Sequence, residues 1–356
     1  MGFMSDFQGK PPMPVKHWSF AGIMLTCWCN ARCACCYLCC SPDRREEMTD
    51  REAVDVWRQL VQASPHGCRV HLTGGEPFGD WQRLIGVCRQ AAELGLGPLQ
   101  KVETNGFWAD DERVIRARLR NLDQAGMETL GISADPYHQQ FVPIERCRLL
   151  ARVAEEVLGT GRVQVRWRDW LDEGRDTSDL SPSARRELFA EYALRGRERL
   201  CGRAAQCVAS DLPHKPPEDF ADTPCRNFLL RGRHVHVAPG GMVMPGTCAG
   251  ILLGRIGPDG SVSRLWQSLT DDLQSRPILA ALAQSGPVGL LERAKALGFA
   301  PRPGYAGKCH LCWDIRRFLA GRGRLESSHV GADLGMAGVR DELGPGWLYE
   351  DAAWRE

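Results

Sequence analysis

The sequence predicts an α/β fold in which short parallel strands alternate with helices and the sheet coils toward a partial barrel, with a smaller α+β annex behind it. Three observations carry this. Apolar runs of strand length alternate with amphipathic helical stretches from residue 17 to residue 168. Runs of this kind, joined by helices, form right-handed parallel units that curl the sheet. The composition then shifts around residues 213–224, where His214-Lys215-Pro216-Pro217-Glu218-Asp219 reads as a linker.

Taken in order, residues 1–18 form a loose arm rich in Pro, Met and Gly. A first buried strand covers 17–26 and runs into a cysteine-rich loop. Thr49-Asp50-Arg51-Glu52 has the capping-box pattern and opens a helix through Val54, Trp57, Leu60 and Val61. Strand 68–73 leads into Gly74-Gly75-Glu76-Pro77. Helix 81–94, strand 99–104, helix 110–125, strand 129–133, helix 144–158 and strand 163–168 follow. A sixth strand is expected within 200–212, closing a unit of residues 19–212. In the annex, 213–325, a β-hairpin turns at Pro239-Gly240-Gly241. A helix covers 278–297, and Cys309-His310-Leu311-Cys312 precedes another through Leu319. The tail, 326–356, holds Trp347 and Trp354 and is expected to be only partly ordered.

Composition narrows the function classes. The chain has 356 residues, 43% hydrophobic and 25% charged, which suits a globular protein. Lys+Arg number 45 against Asp+Glu 44, so bulk charge recruits neither nucleic acid nor a membrane surface. No apolar run is long enough to span a bilayer. Sixteen cysteines without a secretory leader point to metal or iron–sulfur ligation rather than disulfides. A reducing, cytoplasmic setting is expected, because such thiolates oxidise.

Seven of the cysteines lie between Cys27 and Cys40. Cys29, Cys33 and Cys36 form C-x-x-x-C-x-x-C, and three thiolates on one loop can hold three irons of a four-iron cluster, leaving the fourth open. A zinc site more often uses separated C-x-x-C pairs, and a disulfide knot needs a secreted setting. Cys27, Cys35, Cys39 and Cys40 are expected to be small buried or loop thiols.

With its flanking Leu25-Thr26, Asn30 and Tyr37, this loop resembles that of the radical S-adenosylmethionine (SAM) superfamily. The resemblance implies a partial (β/α)6, TIM-like barrel, a 4Fe–4S cluster on Cys29, Cys33 and Cys36, and SAM on its open iron. Gly74-Gly75-Glu76-Pro77 is similar to the motif that holds the SAM amino group in that family. The resemblance also places Tyr37 by the adenine, Asn105 of Glu103-Thr104-Asn105-Gly106 at the SAM edge, and Ser133 with Asp135 at the ribose. Asn105-Gly106 and Asp135-Pro136 also read simply as turns. On strand 163–168, Gln164, Arg166 and Arg168 share a face. If that face is the lumen, Arg166 can take the SAM carboxylate; otherwise it is a solvated charged face. His138 is a substrate contact or a surface residue.

Cys225, Cys248, Cys309 and Cys312 can form a zinc ribbon or a cluster. Their order resembles the twitch annex, a short form of the SPASM domain, which implies a second, auxiliary 4Fe–4S cluster. Cys201 and Cys207 are candidate substitutes. The resemblance further implies reductive cleavage of SAM to a 5′-deoxyadenosyl radical, hydrogen abstraction from a substrate C–H bond, and an external electron donor of flavodoxin or ferredoxin type. Maturation of a ribosomal peptide or natural product is the favoured role. A peptide substrate calls for a separate leader-peptide-binding protein, because the N-terminal arm is short. The alternatives are a small-molecule dehydrogenase or rearrangement enzyme of the same superfamily, a non-catalytic iron–sulfur electron carrier, or a zinc-stabilised binding module.

Overall fold

The computed structural model describes residues 17–258, 260–325 and Leu343. The expected arm and tail therefore lie outside the described residues, apart from His17, Trp18 and Leu343. The chain is mixed α/β and built on one open sheet. Its strands are β1 (Phe20–Met24), β2 (Arg69–Thr73), β3 (Leu99–Thr104), β4 (Met127–Ile132), β5 (Val163–Val165), β6 (His234–Ala238), β7 (Met242–Pro245) and β8 (Gly254–Arg255). The order is β5-β4-β3-β2-β1-β6-β7-β8, with β1 to β6 all parallel and β7 and β8 antiparallel.

The alternation of side chains along each strand divides the sheet into two chemistries. In register across it, Val237, Ile23, Leu72, Val102 and Leu130 form an apolar face that belongs to the core. The intervening positions, His236, Gly22, His71, Lys101, Glu103, Gly131 and Gln164, are polar or side-chain-free. That second face lines a lumen.

Helices supply the outer layer. They are α1 (Asp50–Ala63), α2 (Trp81–Glu93), α3 (Glu112–Gln124), α4 (Ile144–Leu158), α5 (Arg168–Glu173), α6 (Pro182–Gly196), α7 (Arg203–Cys207), α8 (Arg226–Leu229), α9 (Val262–Asp271), α10 (Pro277–Ser285), α11 (Val288–Ala296) and α12 (Lys308–Leu325). α1 starts as expected: the Thr49 hydroxyl accepts from Glu52 N–H at 3.2 Å, and the Glu52 carboxylate accepts from Thr49 N–H at 2.8 Å. Its inner face buries Trp57 and Leu60 fully, each contributing about 1.5–3 kcal/mol. The Asp80 and Asp111 carboxylates cap α2 and α3 by accepting from Arg83 N–H and Arg113 N–H.

Four expectations are corrected. Residues 200–212 hold no strand. Gly202, at φ +60°, turns the chain, and Arg203-Ala204-Ala205-Gln206, all good helix formers, wind into α7. The sixth parallel strand is instead β6, the first arm of the hairpin, and it pairs with β1 on the opposite side of the sheet. The helix expected over 278–297 is two, α10 and α11, broken where Gly286 takes φ +66° before Pro287. The strand expected over 163–168 stops at Val165: Arg168 opens α5 and pairs with Glu155. Cys309 and Cys312 are the second and fifth residues of α12 rather than lying before it.

Thr49→Ala removes one half of the α1 capping box and leaves Glu52 N–H unpaired. It should destabilise the protein by about 0.5–2 kcal/mol in chemical denaturation, with an unchanged m-value.

Candidate functional site

A cavity of about 670 Å³ opens at the C-terminal ends of the parallel strands. Cys29, Cys33 and Cys36 form one side of it. Tyr37, Gly74, Gly75, Glu76, Asn105, Ser133 and Arg166 all line it too. The structure therefore brings together every residue named for the first site except Asp135, which is fully buried behind the wall.

The cysteine loop has little regular structure, so its shape comes from what grips it. The Gly74-Gly75 turn is the first grip. Gly75 N–H donates to Thr26 O at 2.7 Å and Glu76 N–H to Trp28 O at 2.8 Å. A Cβ at Gly75 would collide with the Trp28 carbonyl, and Gly74 sits at φ +137° against Thr26 O. These glycines are needed because two backbones touch there. The second grip is Arg203 of α7, which the sequence reading missed. Its buried guanidinium donates to Cys33 O at 3.0 Å and Cys40 O at 2.8 Å, and its N–H to Cys36 O. Gly202 lets it approach, since a Cβ there would meet the Tyr37 backbone. Asn105 is the third: its amide donates to Asn30 Oδ1 at 2.8 Å and faces Cys29 Sγ at 3.7 Å.

Burial pushes the Cys29 and Cys33 thiols up, with Glu76 adding to the effect at Cys29 and Cys35 at Cys33. A hydrogen bond from Cys40, together with Arg203, lowers Cys36 to about 5 against the same burial. Buried thiols of the first kind give up their protons when a metal takes over the charge. Among the described residues, two sets of three metal-type side chains bring their ligand atoms within 4.8 Å of one another, and neither is Cys29, Cys33 and Cys36. A spread triplet suits a multi-atom cluster better than a single ion. With a buried cation against the loop, the residues present fit a 4Fe–4S cluster. Cys27 and Cys39 are buried as expected; Cys35 and Cys40 are buried and also touch the cavity.

Glu76 is buried, and its carboxylate accepts from Phe78 N–H, Thr104 Oγ1–H and Asn105 N–H at 2.7–3.1 Å. Burial nevertheless raises it to about 7. Burial also works to raise Asp135, but His138 and Arg166 hold that carboxyl well below the usual range. His138 Nδ1 lies 2.8 Å from both Asp135 oxygens, and Arg166 donates to Asp135 at 2.9 Å while also pairing with Glu198. His138 is therefore neither a free surface residue nor unsupported: Asp135 fixes its ring at the cavity wall. The sequence signal was the i, i+3 spacing of Asp135 and His138 after a strand.

A second cavity, of about 380 Å³, collects Cys225, Cys248, Cys309 and Cys312 with Cys201. Cys207 does not line it. Arg199 faces Cys248 Sγ at 3.6 Å, and Arg316 Nε faces Cys312 Sγ at 3.3 Å while donating to Ala249 O. Buried thiols with guanidinium neighbours fit a second metal group as well. Residues 197–199 line both cavities and form the wall between them. Among the described residues no helix is long and apolar enough to cross a membrane.

No protein-family model and no curated protein matches the chain. Solved structures with a similar chain course include BtrN in complex with AdoMet and 2-DOIA. It is 16% identical, with a TM-score of 0.46, over 77% of this chain and 90% of that one. Streptococcus suis SuiB bound to S-adenosylmethionine is 14% identical, with a TM-score of 0.40, over 72% and 66%. Native anSMEcpe with bound AdoMet and Cp18Cys peptide is 13% identical, with a TM-score of 0.41, over 87% and 98%.

The close approach at Gly75 has a measurable consequence. Gly75→Ala forces the turn away from Trp28, so it should lower thermal stability by several degrees and reduce bound iron. Iron content and melting temperature of the variant, measured together, check it.

Proposed function

We propose that this protein is a radical SAM oxidoreductase. The observation that supports this best is the meeting of the Cys29-Cys33-Cys36 loop and the Gly74-Gly75-Glu76 turn in one strand-end cavity. A 4Fe–4S cluster on the three cysteines, when bound, supplies the electron that cleaves SAM and so starts hydrogen abstraction from a substrate C–H bond. The chain's own residues bind, orient and exclude water.

Glu76 suits the SAM ammonium. An ionised carboxylate accepts about four hydrogen bonds, and three are already taken. One position remains, and an incoming ammonium offsets the burial that raises this carboxyl. Arg166 has five N–H donors, with Asp135 and Glu198 engaging two of its nitrogens, so it retains capacity for the SAM carboxylate. Ser133 and Tyr37 offer a hydroxyl and a ring to the nucleoside. Asp135 acts as a positioning residue, holding Arg166 and His138. Since His138 Nδ1–H is directed to Asp135, Nε2 is the ring's acceptor, placed to hydrogen-bond a substrate or receive its proton.

The second cysteine set holds an auxiliary cluster in this reading. Four thiolates leave no open iron, so its role is electron transfer or support. Arg199, at the wall between the cavities, separates substrate space from that cluster. A substrate that loses hydrogen and then an electron needs such an acceptor, which favours oxidation of an alcohol or thiol or crosslinking of a peptide. An electron carrier alone has no use for the 670 Å³ cavity.

Three outcomes check the reading. Alanine at Cys29, Cys33 and Cys36 together should remove about four irons and all SAM cleavage in anaerobically reconstituted protein. Alanine at Cys27 should leave both largely intact, and equal loss there sinks the ligand assignment. Glu76→Gln should keep the cluster absorbance and weaken SAM binding by about tenfold or more, the loss of one charged contact. Replacing Cys309 and Cys312 should remove about half the iron, block substrate conversion and leave SAM cleavage. Zinc in place of that iron refutes the auxiliary cluster.

A further inference from the structure

Below the cavity, on the lumen face, three histidines converge where the sequence shows no motif. His71 lies on β2, and His234 and His236 lie on β6. β1 runs between these strands, and Gly22 is in register with both His71 and His236. A Cβ at Gly22 would collide with His71 Nε2 and the His236 ring. Only glycine at this position lets the two rings lean together over β1. His71 Nε2 is 3.1 Å from His234 Nε2, and the three residues bring one ring nitrogen each within 4.8 Å of the others. His71 and His236 are buried and His234 is half-buried.

We propose that His71, His234 and His236 form a site for a single divalent transition-metal ion of the zinc class, which ties β6 to β2 across β1. The surroundings match what such ligands need. A metal-binding imidazole usually has its second nitrogen held by a carbonyl or carboxylate, which fixes the tautomer and aims the lone pair. His236 Nδ1–H donates to Gly246 O at 2.6 Å, so its Nε2 carries the lone pair. Glu103 Oε1 lies 3.5 Å from His71 Nδ1, at ion-pair distance, and that buried nitrogen makes no hydrogen bond. The nearby carboxylate favours the proton on Nδ1, which leaves His71 Nε2 as the acceptor on the second ring. Two lone pairs meeting at one point repel unless a proton or a cation lies between them. Only His234 Nε2–H can supply the proton, and it reaches His71 alone at hydrogen-bond distance. A cation satisfies all three rings at once.

Three imidazoles without a thiolate suit zinc, ferrous iron, cobalt or nickel, and leave a fourth position for water. Phe20 covers the other side, stacked on His71 at 4.8 Å and tilted against His234 at 4.7 Å. Lys101 sits nearby but is neutralised by Glu103 at 2.6 Å. The site shares no ligand with either cysteine set, so its fate is independent of the function proposed above.

The test uses the full, cluster-loaded chain. One equivalent of zinc is added, the protein is dialysed, and zinc and iron are counted per chain. About one zinc should be retained, as one ion per three-histidine site requires. The His71→Ala, His236→Ala double variant should lose it with iron unchanged. Cobalt(II) added to the unaltered protein reads the ligands without any variant. Tetrahedral bands without a thiolate charge-transfer band support the site. Retention of the same zinc by the double variant, a thiolate charge-transfer band, or no retained metal in the unaltered chain each overturns it.

Discussion

The structure depends on one close approach: the backbone of the Gly74-Gly75-Glu76 turn lying directly on the backbone of the cysteine loop. A 25-residue excursion between β1 and α1, from Leu25 to Thr49, carries seven cysteines and no helix or strand of its own. Such a segment has high conformational entropy unless something outside it restrains its carbonyls and N–H groups. Thr26 and Trp28 are held by Gly75 and Glu76, Cys27 and Met48 by the loop's own closing bridge, and Cys33, Cys36 and Cys40 by Arg203. Take away the room at Gly75 and the first of these grips cannot form. The motif's glycines are thus structural for the loop before they touch any ligand.

Charge is the second constraint, and it accounts for the arginines. Two groups of thiols are buried in one chain, and a buried anion is costly unless a cation or metal is close. The protein places Arg203 beside the first group and Arg199 and Arg316 beside the second. None of these arginines occupies a recognisable motif. Arg199 sits in a stretch assigned to no element, Arg203 where a strand is expected and Arg316 in an expected helix, and burial beside sulfur gives them meaning only once the chain is folded.

Periodicity made the alternating units legible and cysteine spacing singled out both sets, while the polar face of strand 163–168 stayed open between lumen and solvent. Thr49-Asp50-Arg51-Glu52 opened a helix as its chemistry requires, and Cys225, Cys248, Cys309 and Cys312 do share a chamber although they span 88 positions of chain (312 − 225 + 1). What was illegible is what depends on partners distant in sequence. The sequence places the sixth strand within 200–212, next in chain order after β5. Instead, β6 pairs on the far side of β1, and nothing local to His234-Val235-His236-Val237 says which edge it joins. His71 and His236 likewise look like isolated histidines in alternating strands, since 164 residues separate them (236 − 71 − 1). The resemblance places Asp135 at the ribose, with a simple turn as the alternative; its burial behind His138 and Arg166 is a tertiary fact.

That placement of β6 also decides how the two cysteine chambers relate. Were the sixth strand beside β5, the hairpin and its flanking Cys225 and Cys248 would hang from a linker, and the distance between chambers would follow that linker's motion. With β6 hydrogen-bonded to β1, the strand that launches the first cysteine loop, both chambers are anchored to neighbouring strands of the same sheet. Tyr37 then lies with its ring 6.1 Å from that of His236, so the loop and the hairpin touch within the lumen. A shared sheet holds a separation far better than a flexible tether does. The unexpected strand order therefore sets both cysteine chambers on neighbouring strands of one sheet.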